Sequence, residues 1–258
     1  MTSTILPRSN IGSLAAITAG EGPLVLLIHG VGLRAEAWGA QIDALSATCR
    51  VIAVDMPGHG GSAPLPATPT LADFVDAIAA CLDAPAVVVG HSFGAMITLG
   101  MAIRHPAQVK GVAALNAIYN RDAAAQVAVQ ERANSLDGKT TADPAATLTR
   151  WFGAEASAQR TACETWLRSA DPAGYRAAYR VFAHENGPSA SDLAVLHCPA
   201  LFLTGADEPN STPAMSCDMA ALAPHGRAEI IEGAAHMLPM THAARVNATL
   251  REFITSCS

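Results

Sequence analysis

The stretch VVVGHSFGAM, residues 87–96, constrains the fold more than any other part of the chain. Val87, Val88 and Val89 are a β-branched run of the kind that forms a strand covered on both faces. From Ala95 onward the pattern changes, and Met96, Leu99 and Ile103 recur at the spacing of a helix. Ser92 is therefore expected on the turn between a buried strand and a helix, with Gly90 and Gly94 on either side. A bend that sharp brings neighbouring backbone so close that a Cβ at either glycine would clash. A serine held in this way presents its hydroxyl at the edge of a sheet, at the start of a helix.

The same scheme recurs along the chain. PLVLLIHG (residues 23–30) reads as a buried strand ending in a glycine turn, and Trp38, Ile42 and Leu45 then mark one face of a helix. RVIAVDMPGHGGS (50–62) is again a strand followed by a glycine-rich turn. Thr70 and Asp73 form a capping box, and Leu71, Phe74, Val75, Ile78 and Leu82 supply the apolar stripe of the helix that it opens. VKGVAALNA (109–117), CPALFLTG (198–205) and GRAEIIEG (226–233) read as further strands, and a helix over 243–253 closes the chain. Strand and helix alternating through short connections predict one α/β domain over residues 1–258, with a mostly parallel central sheet flanked by helices. The alternation stops over residues 119–185, where Trp151, Phe152, Trp166, Tyr175 and Tyr179 stand in polar helical sequence; an inserted helical cap is expected there.

Composition narrows the function classes. A net charge of -6 gives no basic field to attract nucleic acid or anionic lipid. The apolar runs are broken well short of a membrane span, and MTSTILPRSN has no charged-then-apolar leader, so a cytoplasmic protein is expected. The six cysteines show no CxxC and no metal-ligand spacing, which fits reduced thiols. No HExxH, no phosphate loop and no GxGxxG opening a helix is present, so no metal or nucleotide cofactor is expected.

A serine hydroxyl is a poor nucleophile at neutral pH and needs a base within hydrogen-bond reach, oriented in turn by a third group. EGAAHMLPM (232–240) places His236 on the turn after the last predicted strand, and TGADEPN (204–210) places Asp207 and Glu208 on the turn after the strand before it. The chain order is then serine, acid, histidine.

Through HGVG (29–32), DMPGHGGS (55–62), GHSFGA (90–95), TGADEPN and GAAHM (233–237), the sequence resembles the α/β-hydrolase superfamily over essentially its whole length. Its spacing is most similar to small bacterial serine hydrolases of the 3-oxoadipate enol-lactonase and carboxylesterase type. The resemblance implies a nucleophile at Ser92, a base at His236, and an oxyanion hole from the backbone N–H groups of Val31 and Phe93. Counted from Gly205, the family pattern Gly-x-x-Asp puts the acid at Glu208, whereas residue type favours Asp207 one position earlier. Spacing weighs more here, because a one-residue slip on a tight turn would aim the carboxylate elsewhere. Asp122, after the ALNA strand end, is a third candidate.

The expected activity is hydrolysis of an ester, lactone or similar activated carbonyl of a small molecule through an acyl-enzyme. The same triad also supports carbon–carbon bond hydrolysis, perhydrolysis or cyanohydrin cleavage, and a ligand-binding protein can keep the fold without turnover. Trp38, Trp151, Phe152 and Met237 are candidate pocket residues, each with core packing as the competing reading. Residues 119–185 hold equal numbers of basic and acidic residues, so net charge names no substrate, but Arg121, Arg150 or Arg176 could clamp a carboxylate. The sequence leaves the oligomeric state open.

Overall fold

The computed structural model describes residues 8–66 and 68–257, so most of the MTSTILPRSN stretch, residues 1–7, lies outside them. Among the described residues eight strands form one sheet, in the order β1-β2-β4-β3-β5-β6-β7-β8. An antiparallel hairpin, β1 (Arg8–Ile11) and β2 (Leu14–Ala19), forms one edge, and β2 pairs antiparallel with β4 (Arg50–Val54). From β4 onward every pairing is parallel, through β3 (Leu24–Ile28), β5 (Ala86–His91), β6 (Val109–Leu115), β7 (Ala200–Gly205) and β8 (Gly226–Ile231).

Strand side chains alternate between two apolar layers, which is why the central strands read as continuous hydrophobic runs. Leu26, Ile28, Ile52, Val54 and Val88 lie in one buried cluster, together with residues of α2 (Leu71–Ala79), α3 (Phe93–Arg104) and α9 (Pro213–Leu222). Val25, Leu27, Val51, Ala53, Val87 and Val89 lie in the other, against α1 (Gly39–Leu45) and α11 (Ala243–Ser256). The Thr70–Asp73 capping box forms in both directions at the start of α2. Trp38 ends a short 3₁₀ turn, Ala35–Trp38, that leads into α1.

Between β6 and β7 the chain is helical: α4 (Ala123–Ser135), α5 (Ala145–Phe152), α6 (Ala158–Ser169), α7 (Pro172–His184) and the short α8 (Ala190–Ala194). A third buried cluster joins these helices to the sheet-edge loops: Leu148, Cys163 and Leu167 meet Leu33, Ala37 and Met237. Another one-turn helix, α10 (Leu238–Thr241), follows the last strand. Among the described residues no helix is long and apolar enough to cross a membrane.

Candidate active site

Ser92 lies between β5 and α3 with φ 56° and ψ -118°, a conformation that costs a non-glycine residue of order 1–3 kcal/mol. The two glycines permit it by lacking side chains. A Cβ on Gly90 would stand 2.1 Å from the Gly94 carbonyl oxygen, and one on Gly94 would stand 2.2 Å from that of Ile28. The Ser92 N–H donates to the Leu115 carbonyl of β6 at 2.8 Å, which anchors the turn to the neighbouring strand.

The turns after β7 and β8 are stitched together by backbone. Ala206 N–H donates to the Ile231 carbonyl and Asp207 N–H to that of Ala234, both at 2.9 Å. This leaves Asp207 exposed and turns Glu208 inward, where it is 2% exposed. Glu208 Oε2 lies 2.7 Å from His236 Nδ1. The other carboxylate oxygen accepts the N–H groups of Asn210 at 2.8 Å and Ser211 at 3.4 Å. Burial works against ionising Glu208, but the hydrogen bond and charge of His236 and the two backbone donors outweigh it and bring the carboxyl down to about 2. Asp122 instead caps α4, accepting the Ala125 N–H at 2.7 Å.

Asn116, at the end of β6, is a site residue that the sequence reading did not single out. It is buried, has φ 52°, and donates from Nδ2 to Glu208 Oε2 at 3.1 Å and to Thr204 Oγ1 at 3.3 Å. A polar residue at the carboxyl end of an otherwise apolar strand was the available signal.

His236 is held from three sides. Glu208 faces Nδ1, the Trp151 ring stacks on the imidazole at 5.4 Å and 21°, and His91 Nε2–H donates to the His236 carbonyl at 2.7 Å. Since a carbonyl can only accept, His91 carries its proton on Nε2, and burial keeps the ring neutral by bringing its pKa down to about 3.

The first glycine turn is held in a similar way. Met56 N–H donates to His29 Nε2 at 3.0 Å, so the His29 proton sits on Nδ1 and is donated to the Gly30 carbonyl at 2.7 Å. Leu33 N–H reaches the same carbonyl at 3.2 Å. In a trans peptide the next N–H points the opposite way, so the Val31 donor is turned from this tether along a loop that lines the cavity. Phe93 N–H is at the first position of α3, where a helix leaves its donors without intrahelical partners. The DMPGHGGS segment supports the sheet edge: buried Asp55 accepts Ala35 N–H at 2.8 Å and Gly61 N–H at 2.7 Å and pairs with Arg8.

A cavity of about 310 Å³ brings Ser92, His236, Val31, Asn116 and Trp151 together with Arg121, Arg132, Arg150, Tyr175, Tyr179 and Phe182. Three expected pocket residues do not line it. Trp38 is 1% exposed in the core beneath the sheet, edge-on to His91 at 6.5 Å, because its turn packs on α1, α10 and the strands β2, β3 and β4 rather than on the cavity. Met237 and Phe152 pack in the cluster that joins the inserted helices to the body, where apolar side chains lose more water by meeting each other than by lining a partly polar cavity. Arg176 lines a separate groove.

A model of the alpha/beta hydrolase family matches residues 25–249. The chain belongs to the α/β-hydrolase family. Among this hydrolase's relatives is the (E)-2-((N-methylformamido)methylene)succinate hydrolase of Acinetobacter baylyi, 40% identical over 98% of both chains. In solved structures the fold is matched by a thermophilic esterase from Thermogutta terrifontis (TM-score 0.85, 24% identity, 97% of this chain and 99% of that one). It is matched also by the enol-lactonase of Burkholderia xenovorans (TM-score 0.83, 23% identity, 96% and 100%).

Proposed function

We propose that this α/β-hydrolase is a cofactor-free serine hydrolase that cleaves an ester, lactone or similarly activated carbonyl of a small molecule through an acyl-enzyme. The observation that carries the reading is the 2.7 Å contact of buried Glu208 with His236, which lines the same cavity as a serine in a strained strand-to-helix turn. With Glu208 accepting from Nδ1, the second imidazole nitrogen is free to take the Ser92 proton as the hydroxyl attacks. The carboxylate then faces the imidazolium that forms. The N–H groups of Val31 and Phe93 receive the charge developing on the substrate oxygen, and each such donor accounts for about 10²–10³ in rate. His236 returns its proton to the leaving group, and water repeats the sequence to release the acid and restore Ser92.

In this reading the helices between β6 and β7 form a lid over Ser92, with the wall that Trp151, Tyr179 and Phe182 supply. The substrate name of the Acinetobacter relative contains a formamido group, so a formyl or amide carbonyl belongs beside esters and lactones among the compounds to test. The experiment is rapid-mixing kinetics with a chromogenic ester. A burst of released alcohol, about one equivalent per site and absent in Ser92→Ala, is expected. Equal turnover by Ser92→Ala would refute the acyl-enzyme.

A further inference from the structure

The cavity over Ser92 carries unbalanced charge. Arg121, Arg132 and Arg150 all line it, and among the described residues none of the three takes part in an ion pair. Arg121 is 8% exposed. Its Nη1 donates to the Glu185 carbonyl at 2.5 Å and its Nη2 to the Phe182 carbonyl at 3.2 Å, and the guanidinium carbon stands 4.5 Å from the Phe182 ring centroid. Carbonyl oxygens and a ring face orient this cation without neutralising it. Burial with no carboxylate alongside brings its pKa down to about 10, which still leaves it charged at neutral pH.

Arg132 lines the same cavity. Its guanidinium carbon lies 5.6 Å from the Tyr179 ring centroid, and its Nε is buried with no acceptor among the described residues. Tyr179 and Phe182 are three residues apart on α7, with ring centroids 5.8 Å apart, so the two guanidinium groups lie over neighbouring rings of one helix face. Arg150, on α5, is exposed where it meets the cavity. One carboxylate side chain, Asp122, shares the lining, and it is engaged in capping α4.

We propose that the cavity is shaped for a small carbonyl compound carrying two closely spaced carboxylates, with Arg121 and Arg132 as their anchors and Arg150 drawing the dianion in at the rim. The proposal rests on the serine-hydrolase reading only for what happens to the compound once bound. Arg121 is buried and Arg132 half-buried with no carboxylate paired to either, and an incoming pair of anions supplies that countercharge and an acceptor for the unpaired Arg132 Nε. The planar guanidinium fork matches a carboxylate in two parallel N–H···O bonds, which makes the preference one of shape as well as charge.

The test is calorimetric titration of succinate and glutarate into the wild-type protein and into Ser92→Ala, with butyrate, dimethyl succinate and inorganic phosphate as comparison ligands. The dicarboxylates are expected to bind both proteins alike, about tenfold or more tighter than butyrate or phosphate. Arg132→Gln is expected to weaken succinate about tenfold and leave the neutral diester unchanged. Arg121→Gln gives a similar or larger loss; because Arg121 also ties down the end of α7, it is read beside Arg132→Gln, which breaks no hydrogen bond to backbone. Butyrate or phosphate binding as tightly as succinate would overturn the proposal, as would Arg132→Gln with unchanged succinate affinity. Dicarboxylate binding without any acylation of Ser92 would sink the hydrolase reading and leave this one standing, and acylation without dicarboxylate preference would do the reverse.

Discussion

Glu208→Gln is expected to slow turnover by roughly 10³–10⁴-fold, the loss typical when the acid of such a triad becomes an amide. The cause can be followed atom by atom. Oε1 accepts two backbone N–H groups, from Asn210 and Ser211, so a glutamine would keep its carbonyl oxygen there and place its NH₂ where Oε2 now lies. That NH₂ would face His236 Nδ1 and Asn116 Nδ2, both of which now donate to Oε2. To avoid a clash of donors the imidazole must move its proton to Nε2, the nitrogen that should accept from Ser92. The predicted loss amounts to about 4–5.5 kcal/mol of barrier. Asp207→Asn keeps the N–H bonded to Ala234 and alters only an exposed side chain, so turnover should stay within about twofold, as for surface changes away from such networks. The assay is steady-state hydrolysis of a chromogenic ester, with the rate of inactivation by a fluorophosphonate as a second readout. Asp207→Asn slowing the enzyme more than Glu208→Gln would refute the reasoning.

Further outcomes follow from the same geometry. Gly94→Ala forces a Cβ to 2.2 Å from the Ile28 oxygen and should cost about 3 kcal/mol or more of stability, read as a lowered urea midpoint; an unchanged midpoint would contradict it. Asn116→Ala removes one of the two side-chain donors to Glu208 Oε2 and should lower kcat about tenfold with little change in KM, and an unchanged kcat would remove Asn116 from the positioning of the acid. His29 and His91 are held near 3 and His59 near 4 by burial, against 6.5 when exposed. The unfolded chain therefore binds protons first as pH falls below about 6.5, and each buried ring should forfeit about 2 kcal/mol of stability by pH 5. Urea denaturation at pH 7 and pH 5 checks this, and equal stabilities at the two values would contradict it.

What the sequence disclosed depended on how local the physics was. The Ser92 turn was legible because two glycines, a β-branched run and a helical period sit within a few residues and admit one backbone path. Strands β3, β5 and β7 were legible for the same reason, each being a buried run with a glycine near its end. The β1–β2 hairpin escaped notice although Gly12, with φ 58°, and Ser13 make a two-residue turn between the strands, because RSNI and LAAITA show no clear alternation. Spacing from Gly205 pointed to Glu208, and the structure adds the backbone stitch that turns Asp207 outward. The pocket was the least legible part. Whether Trp38 or Trp151 faces a cavity depends on how distant helices dock, and no periodicity records that. The balanced charge of residues 119–185 hid the sorting that packing performs, which brings Arg121, Arg132 and Arg150 to one cavity and leaves Arg176 in another groove.

The central claim, that Ser92 is activated by His236, is tested most directly by exposing the protein to a fluorophosphonate probe and measuring intact mass and peptide maps, with His236→Ala in parallel. A single adduct on Ser92, lost in His236→Ala, is the predicted result. A folded protein that takes up no probe, or labels equally without His236, would contradict it.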